Sequence, residues 1–128
     1  MPFINIKTNA KKDKKTQEEI VKIVRENTAA IFHKDSELVS ILVEFVPEDS
    51  WTIGTKIQNT FYLDIKITKG INTKEEKANY IKKTFSDLDN ILGGVHFLSC
   101  VHIDEVDASS WGYEGITQEY RYIKSMIN

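Results

Sequence analysis

Pro2 is the residue of this sequence with the least ordinary chemistry. Methionine is normally removed when a small residue follows it, so we expect the mature chain to begin with this proline. A free N-terminal proline is a secondary amine, and α-amino groups have a reference pKa of about 7.7–8.0. Apolar walls and cations lower such a pKa, giving a base able to take a proton beside a carbonyl group near neutral pH. Position 2 by itself favours the structural explanation, a proline tolerated at the first residue of a strand.

Other candidates for chemistry are few. His102 and Cys100 fall on the same side of a predicted strand. We weigh equally a histidine that lines a site and one that is merely hydrogen-bonded on the sheet, and we expect an inert thiol at Cys100. His33 and His96 lie at element ends and share no metal-ligand spacing with His102, so we expect no metal site.

Two loops carry similar motifs. Residues 48–55 and 107–115 each contain acidic residues, a serine, a tryptophan and a glycine in the same order. Trp51 and Trp111 therefore occupy equivalent places. Packing explains both, but tryptophans in loops that follow strands often line pockets, and we expect this of Trp111.

The elements that position these residues form a repeated pattern. Residues 3–8 alternate between apolar and polar, which predicts a strand. A capping box at residues 16–19 predicts the start of a helix that runs to about Phe32. Residues 38–46 are apolar and β-branched, which predicts a strand inside a sheet, and Pro47 ends it.

The second unit repeats the order. Residues 61–67 alternate strictly and predict a strand, and a second capping box spans residues 72–76. The helix that follows is predicted to bury an apolar stripe of Ile81, Phe85, Leu88 and Leu92 and to stop at Gly93-Gly94. Residues 98–106 predict the last strand.

Two such units predict the α/β class, as an α+β sandwich with a four-stranded mixed sheet and two helices on one face. We predict one domain over residues 1–128, with repeats at about 2–57 and 60–115 and a tail at 116–128. No element is predicted to cover the other face of the sheet. An oligomer would bury that face, whereas polar residues such as Asn5 and Lys66 would also suit a solvated one.

Composition bounds the function. The 128 residues are 41% apolar and 28% charged, which excludes disordered and fibrous classes. One cysteine excludes an internal disulfide and multi-cysteine clusters. A net charge of −2 gives no attraction to nucleic acid or anionic membranes, and no apolar run approaches the roughly 20 residues of a membrane span. The N-terminus lacks the pattern of a signal peptide, so we expect a cytoplasmic protein.

The N-terminal pattern Pro-apolar-Ile-x-Ile, opening a doubled β-α-β unit, resembles the tautomerase superfamily. That superfamily includes 4-oxalocrotonate tautomerase and macrophage migration inhibitory factor. Residues 43–48, with the loop at 51–54, are similar to the long branch that resembles macrophage migration inhibitory factor. Residues 65–67 with Gly70 resemble the short tautomerases, and the resemblance covers nearly the whole chain.

The resemblance implies a homotrimer, no cofactor, and keto–enol tautomerisation of a small 2-keto acid or related carbonyl substrate. It implies Pro2 as the general base and Lys34 as the residue that attracts the substrate carboxylate. The remaining substrate contacts that it implies are the backbone at Ile67, His102, and an aromatic wall of Trp111 and Tyr113.

The sequence departs from the family in its arginines. It has only Arg25 and Arg121, and the places where relatives fix carboxylates with arginine hold Lys12, Ile71 and Cys100. Lysine offers a point charge and not a bidentate fork, so we do not expect arginine-dependent dehalogenation. Two alternatives stay open. Protonated Pro2 could act as an acid in hydration or decarboxylation, or the fold could serve as a non-enzymatic interaction protein.

Overall fold

The computed structural model describes residues 1–127 of the chain. Within them, the strands and helices in chain order are β1 (Phe3–Thr8), α1 (Lys14–Phe32), β2 (Ser40–Phe45), β3 (Phe61–Thr68), α2 (Lys74–Ile91), β4 (Cys100–Val106), β5 (Gly112–Tyr113), β6 (Ile116–Thr117) and α3 (Gln118–Ile127). None of these helices is both long and apolar enough to cross a membrane.

The four long strands form one mixed sheet in the order β2-β1-β3-β4. β2 runs parallel to β1, and β4 runs parallel to β3, while β1 and β3 are antiparallel and join the two units. The predicted class and the two strand–helix–strand units are therefore confirmed. The interior position predicted for β2 is wrong, because β3 occupies the other side of β1 and leaves β2 at the edge. Its apolar character comes from packing on one face only, since Leu42 on the other is 48% exposed.

The core lies between the sheet and two helices on one of its faces. Alternation in β1 and β3 buries Ile4 and Leu63, and both pack in one cluster with Val24 of α1 and Leu88 of α2. This placement confirms two helices on the same face of the sheet, because residues from both helices meet the same side of both central strands.

The two helix starts differ from each other. α1 is capped by Asp13, whose carboxylate accepts a hydrogen bond from the Thr16 amide, so the box predicted at residues 16–19 is wrong. Thr16 lies within the first turn because the helix already begins at Lys14. The second box is confirmed, with Thr73 as the cap and Glu76 bonding back to the Thr73 amide.

The apolar stripe of α2 is rotated from the predicted one. Tyr80 is fully buried and its ring stacks on Phe32 of α1, with the centroids 4.5 Å apart. Ile81 is 41% exposed, so its predicted place in the stripe is wrong. The aromatic pair between the helices decides which side of α2 faces inward. Phe85, Leu88 and Leu92 join the core as predicted.

The predicted tail folds as β6 and α3, an additional helix beyond the two on the sheet. The amides of Gln118 and Glu119 donate to the carbonyls of Trp111 and Ala108, which ties the start of α3 to the loop after β4. No residue of α3 is buried. The last residue of the tail, Asn128, lies outside the described residues.

Candidate functional site

A cavity of about 700 Å³ lies beside the N-terminus. One wall is the end of β3 and the turn that follows, where Gly70 has a left-handed φ of 85°. Residues of α3 form a second part of the lining, and Met1, Lys34, Ala108 and Tyr113 form the rest. The cavity therefore brings Met1 and α3 together at one end of the sheet.

The sheet fixes the N-terminus at this place. Pro2 is buried, and its carbonyl accepts a hydrogen bond of 3.1 Å from the Ser40 amide at the start of β2. β1 continues from Phe3 between β2 and β3, so strands hold it on both sides. Met1, and not Pro2, lines the cavity while the methionine is present.

Charge inside the cavity is positive, although the chain carries a net charge of −2. Lys34, Lys69 and Arg121 line it against a single carboxylate, that of Glu119. Burial, and after it the charge of Lys34, lowers the pKa of the Met1 amino group below its ordinary value. Burial likewise lowers the pKa of Lys34, an effect that the Glu76 carboxylate opposes. An amine at this position is thus shifted towards its neutral, basic form.

Only one of the two aromatic residues predicted for the site, Tyr113 and Trp111, belongs to the cavity lining. Tyr113 lines the cavity. Trp111 does not line it, but its Nε1 donates a hydrogen bond of 3.3 Å to Oγ1 of Thr68, which does. The Ile67 side chain is buried in the core, and only its neighbour Thr68 meets the cavity.

His102 lies elsewhere in the single chain. It pairs in register with Asp64 on the face of the sheet away from the helices, with Nδ1 3.1 Å from an Asp64 oxygen. Lys66 and Asp104 continue the same polar row, 2.8 Å apart. The structure therefore brings Lys34 and Tyr113 to the N-terminus but not His102. Among the described residues no cluster of three or more His, Cys, Asp or Glu could hold a metal ion.

Solved structures share this architecture across almost their whole length. A fused 4-OT wild-type asymmetric trimer matches with a TM-score of 0.83 at 15% identity, covering 93% of this chain and 98% of that one. Native fused 4-OT matches with a TM-score of 0.79 at 16% identity, covering 92% and 97%. This chain has the tautomerase-superfamily fold.

A macrophage migration inhibitory factor-like protein from Entamoeba histolytica has the same fold, with a TM-score of 0.74, 19% identity and coverage of 91% and 97%. No protein-family model and no curated protein sequence matches this chain. At identities of 15–19% these structures establish the fold of this chain and not the roles of its individual residues.

Sequence reasoning missed the contribution of α3. Gln118 and Arg121 line the cavity from this helix, whereas the sequence pattern predicts only a tail at residues 116–128. A signal was present, since residues 118–127 contain no glycine or proline. Thr117 precedes them as a cap-type residue, and its hydroxyl accepts a hydrogen bond of 3.0 Å from the Tyr120 amide.

Proposed function

We propose that this protein, once Met1 is removed, is a cofactor-independent keto–enol tautomerase that uses the amine of Pro2 as its base. The observation that carries the proposal is an N-terminal amino group at the edge of a 700 Å³ cavity, with its pKa lowered by burial and by Lys34. Removal of Met1 would leave the Pro2 nitrogen as that amino group, held by the bond between its carbonyl and Ser40.

The reaction needs only proton movement. The neutral amine of Pro2 takes a proton from the carbon beside the substrate carbonyl, and the C–H electron pair moves into an enolate. The ammonium so formed returns the proton to the enolate oxygen, which gives the enol, and ketonisation is the reverse. Lys34 attracts the acid group of the substrate.

We assign stabilisation of the enolate oxygen to Thr68, which lines the cavity. Its Oγ1 accepts the hydrogen bond from Trp111 Nε1, so its own O–H remains to donate into the cavity. A donor aimed at developing negative charge is a common source of rate enhancement. This gives Trp111 the role of holding Thr68 and not that of a direct wall.

The base assignment is favoured over the acid assignment by the electrostatics. Burial and the charge of Lys34 both disfavour the charged form of the Met1 amine, and the same surroundings would act on the Pro2 amine once Met1 is removed. A hydratase or decarboxylase that uses protonated Pro2 as an acid needs surroundings that favour the charged amine. The profile of rate against pH separates them, because a base gains activity as pH rises through its pKa and an acid loses it.

The decisive experiment combines mass and turnover. Intact mass should show loss of Met1, and the processed protein should ketonise phenylenolpyruvate. Acylation of the N-terminus should lower kcat/KM by about 10²-fold or more, the usual contribution of a general base. Pro2→Ala should lower it as well. Pro47→Ala, in an exposed turn, is the matched control and should leave it unchanged.

Retained Met1 with no turnover would refute the proposal and support a non-enzymatic interaction protein. Wild-type turnover by the acylated protein would refute the role of Pro2.

We also propose a homotrimer. The fused 4-OT structures are described as trimers, and the sheet face away from the helices leaves Leu42 and Tyr62 48% and 39% exposed. Light scattering during size-exclusion chromatography should give about three times the 14.7 kDa of one chain. A mass of one chain would rule the trimer out.

A further inference from the structure

We infer that Arg121, presented by the C-terminal helix α3, anchors the carboxylate of the substrate in the cavity that Met1 also lines. Arg121 belongs to the lining of the cavity that Met1 and Lys34 share. The claim that its ligand is an oxo-acid substrate rests on the proposed function, whereas anion binding by Arg121 can be tested without turnover.

The side chain of Arg121 is held in one orientation. Its Nη2 donates a hydrogen bond of 2.9 Å to the Tyr113 carbonyl, and its guanidinium carbon lies 3.8 Å from the centroid of the Tyr113 ring. Its side chain is only 29% exposed. An arginine fixed in this way loses little further conformational entropy on binding a ligand.

This wall of the cavity is short of acceptors. Nε of Arg121 and Nε2 of Gln118 are both buried, and neither has a hydrogen-bond partner in the described part of the chain. The two residues are three apart in α3 and so share one face of the helix. Unpaired buried donors are costly, and an anion with several oxygens is the ligand that would satisfy them after a small local adjustment.

The neighbouring charges do not already satisfy the guanidinium. Glu114 lies 3.9 Å from Nη2 but is 81% exposed, so water screens that pair. Glu119 is the one carboxylate in the lining, against three cations. The cavity therefore selects an anion, and the fork of Arg121 selects a planar one such as a carboxylate.

This position differs from those where the sequence resemblance places carboxylate-binding arginines, which hold Lys12, Ile71 and Cys100 here. An arginine brought from α3 would supply the bidentate contact that those residues cannot make. The substrate class that follows is a small oxo acid with its carboxylate at the α3 end and its acidic carbon towards the amine.

The test is a binding titration by nuclear magnetic resonance, with succinate as the anionic probe and butane-1,4-diol as the neutral probe of equal length. Wild-type protein should bind succinate and not the diol. Arg121→Gln should weaken succinate binding by at least about 10-fold, as expected for loss of a charge-assisted contact. Lys124→Gln is the control, because it removes a charge from the same helix outside the cavity, and it should bind within about 2-fold of wild type.

Equal binding of succinate by wild type and Arg121→Gln, or no binding by wild type, would overturn the inference. Arg121→Lys guards against unfolding of α3, since it keeps the charge without the fork, and wild-type affinity in this variant would also overturn it. Succinate binding that depends on Arg121, in a protein without tautomerase turnover, would leave the anion site standing and refute the proposed function alone. Tautomerase turnover, together with equal succinate binding by wild type and Arg121→Gln, would refute the anion site and leave the proposed function standing.

Discussion

Met1 and Lys34 line one cavity, and the amino groups of both residues have a lowered pKa. Burial is the main cause for each of them. For the amine, the positive charge of Lys34 adds to the effect, because an ammonium beside a lysine is disfavoured. The two groups are thus electrostatically linked at the place where the fold brings the chain terminus to the sheet end.

The first prediction concerns this link. Lys34→Met should raise the pKa of the terminal amine, because it removes a like charge. At pH 7 a smaller fraction of the amine is then neutral, so acylation of the N-terminus should be slower. The midpoint of the acylation rate plotted against pH should move to a higher pH. Lys69→Met is the matched control in the same cavity, and Lys69 is not a cause of the lowered pKa. A midpoint that stays in place or falls in Lys34→Met would contradict the prediction.

The second prediction concerns the buried hydroxyl between the helices. Thr28 Oγ1 donates to the Val24 carbonyl at 2.7 Å, so Tyr80 donates to Thr28 across 2.8 Å. Burial raises the pKa of Tyr80 to about 12 from 10.0. The folded state therefore keeps a proton that the unfolded state loses, and the free energy of unfolding should fall as pH rises from about 10 to about 12.

Urea unfolding at several pH values checks this. The slope due to Tyr80 should approach about 1.4 kcal/mol per pH unit, and Tyr80→Phe should remove it. At pH 7 the same variant should lose about 1 kcal/mol of unfolding free energy, because one buried hydrogen bond is gone. An equal alkaline slope in both proteins would show that Tyr80 does not carry the effect.

The third prediction concerns the start of α1. Asp13→Ala should lower the free energy of unfolding by about 1 kcal/mol, since its carboxylate caps the helix. Thr16→Ala should lower it by less, about 0.5 kcal/mol, because it removes only the hydrogen bond from Thr16 Oγ1 to the Asp13 carboxylate and leaves the cap on the Thr16 amide in place. Chemical denaturation of the two variants measures both free energies of unfolding and tests the prediction. A larger loss in Thr16→Ala would restore the capping box at residues 16–19.

The fourth prediction concerns Thr68 and Trp111. In a Trp51→Phe background, which leaves Trp111 as the sole tryptophan, Thr68→Val should shift the fluorescence maximum because the indole loses its acceptor. The free energy of unfolding should fall by about 1 kcal/mol. If Thr68 also steadies the enolate, kcat/KM should fall by about 10²-fold, as when an oxyanion donor is removed.

Thr60→Val is the control for the fourth prediction, since Thr60 is buried immediately before β3, away from Thr68, and its hydroxyl bonds to Ser99. It should destabilise the fold without a change in Trp111 fluorescence. The same shift in both variants would mean that the emission reports general loosening and not the bond to Thr68.

Local pattern was enough to predict most of the architecture. The strict alternation of β3 and the box at Thr73 and Glu76 depend on neighbours in sequence, and both appear in the structure as predicted. Of the predicted site residues, Lys34 and Tyr113 line the cavity beside Met1, whereas His102 lies on the outer face of the sheet, and the roles of all three stay predictions. Strand parity places a residue on a face, but it does not say which end of which strand reaches the cavity.

By itself the sequence determined two strand–helix–strand units and singled out Pro2, because periodicity, capping residues and residue chemistry are written locally. Only the tertiary structure decided that β2 lies at the edge, that Tyr80 replaces Ile81 in the core, and that Arg121 of α3 lines the same cavity as Met1. Each of these depends on contacts between segments far apart in sequence, such as the stacking of Phe32 on Tyr80. Packing energy between distant elements has no signature in the spacing of residues along the chain.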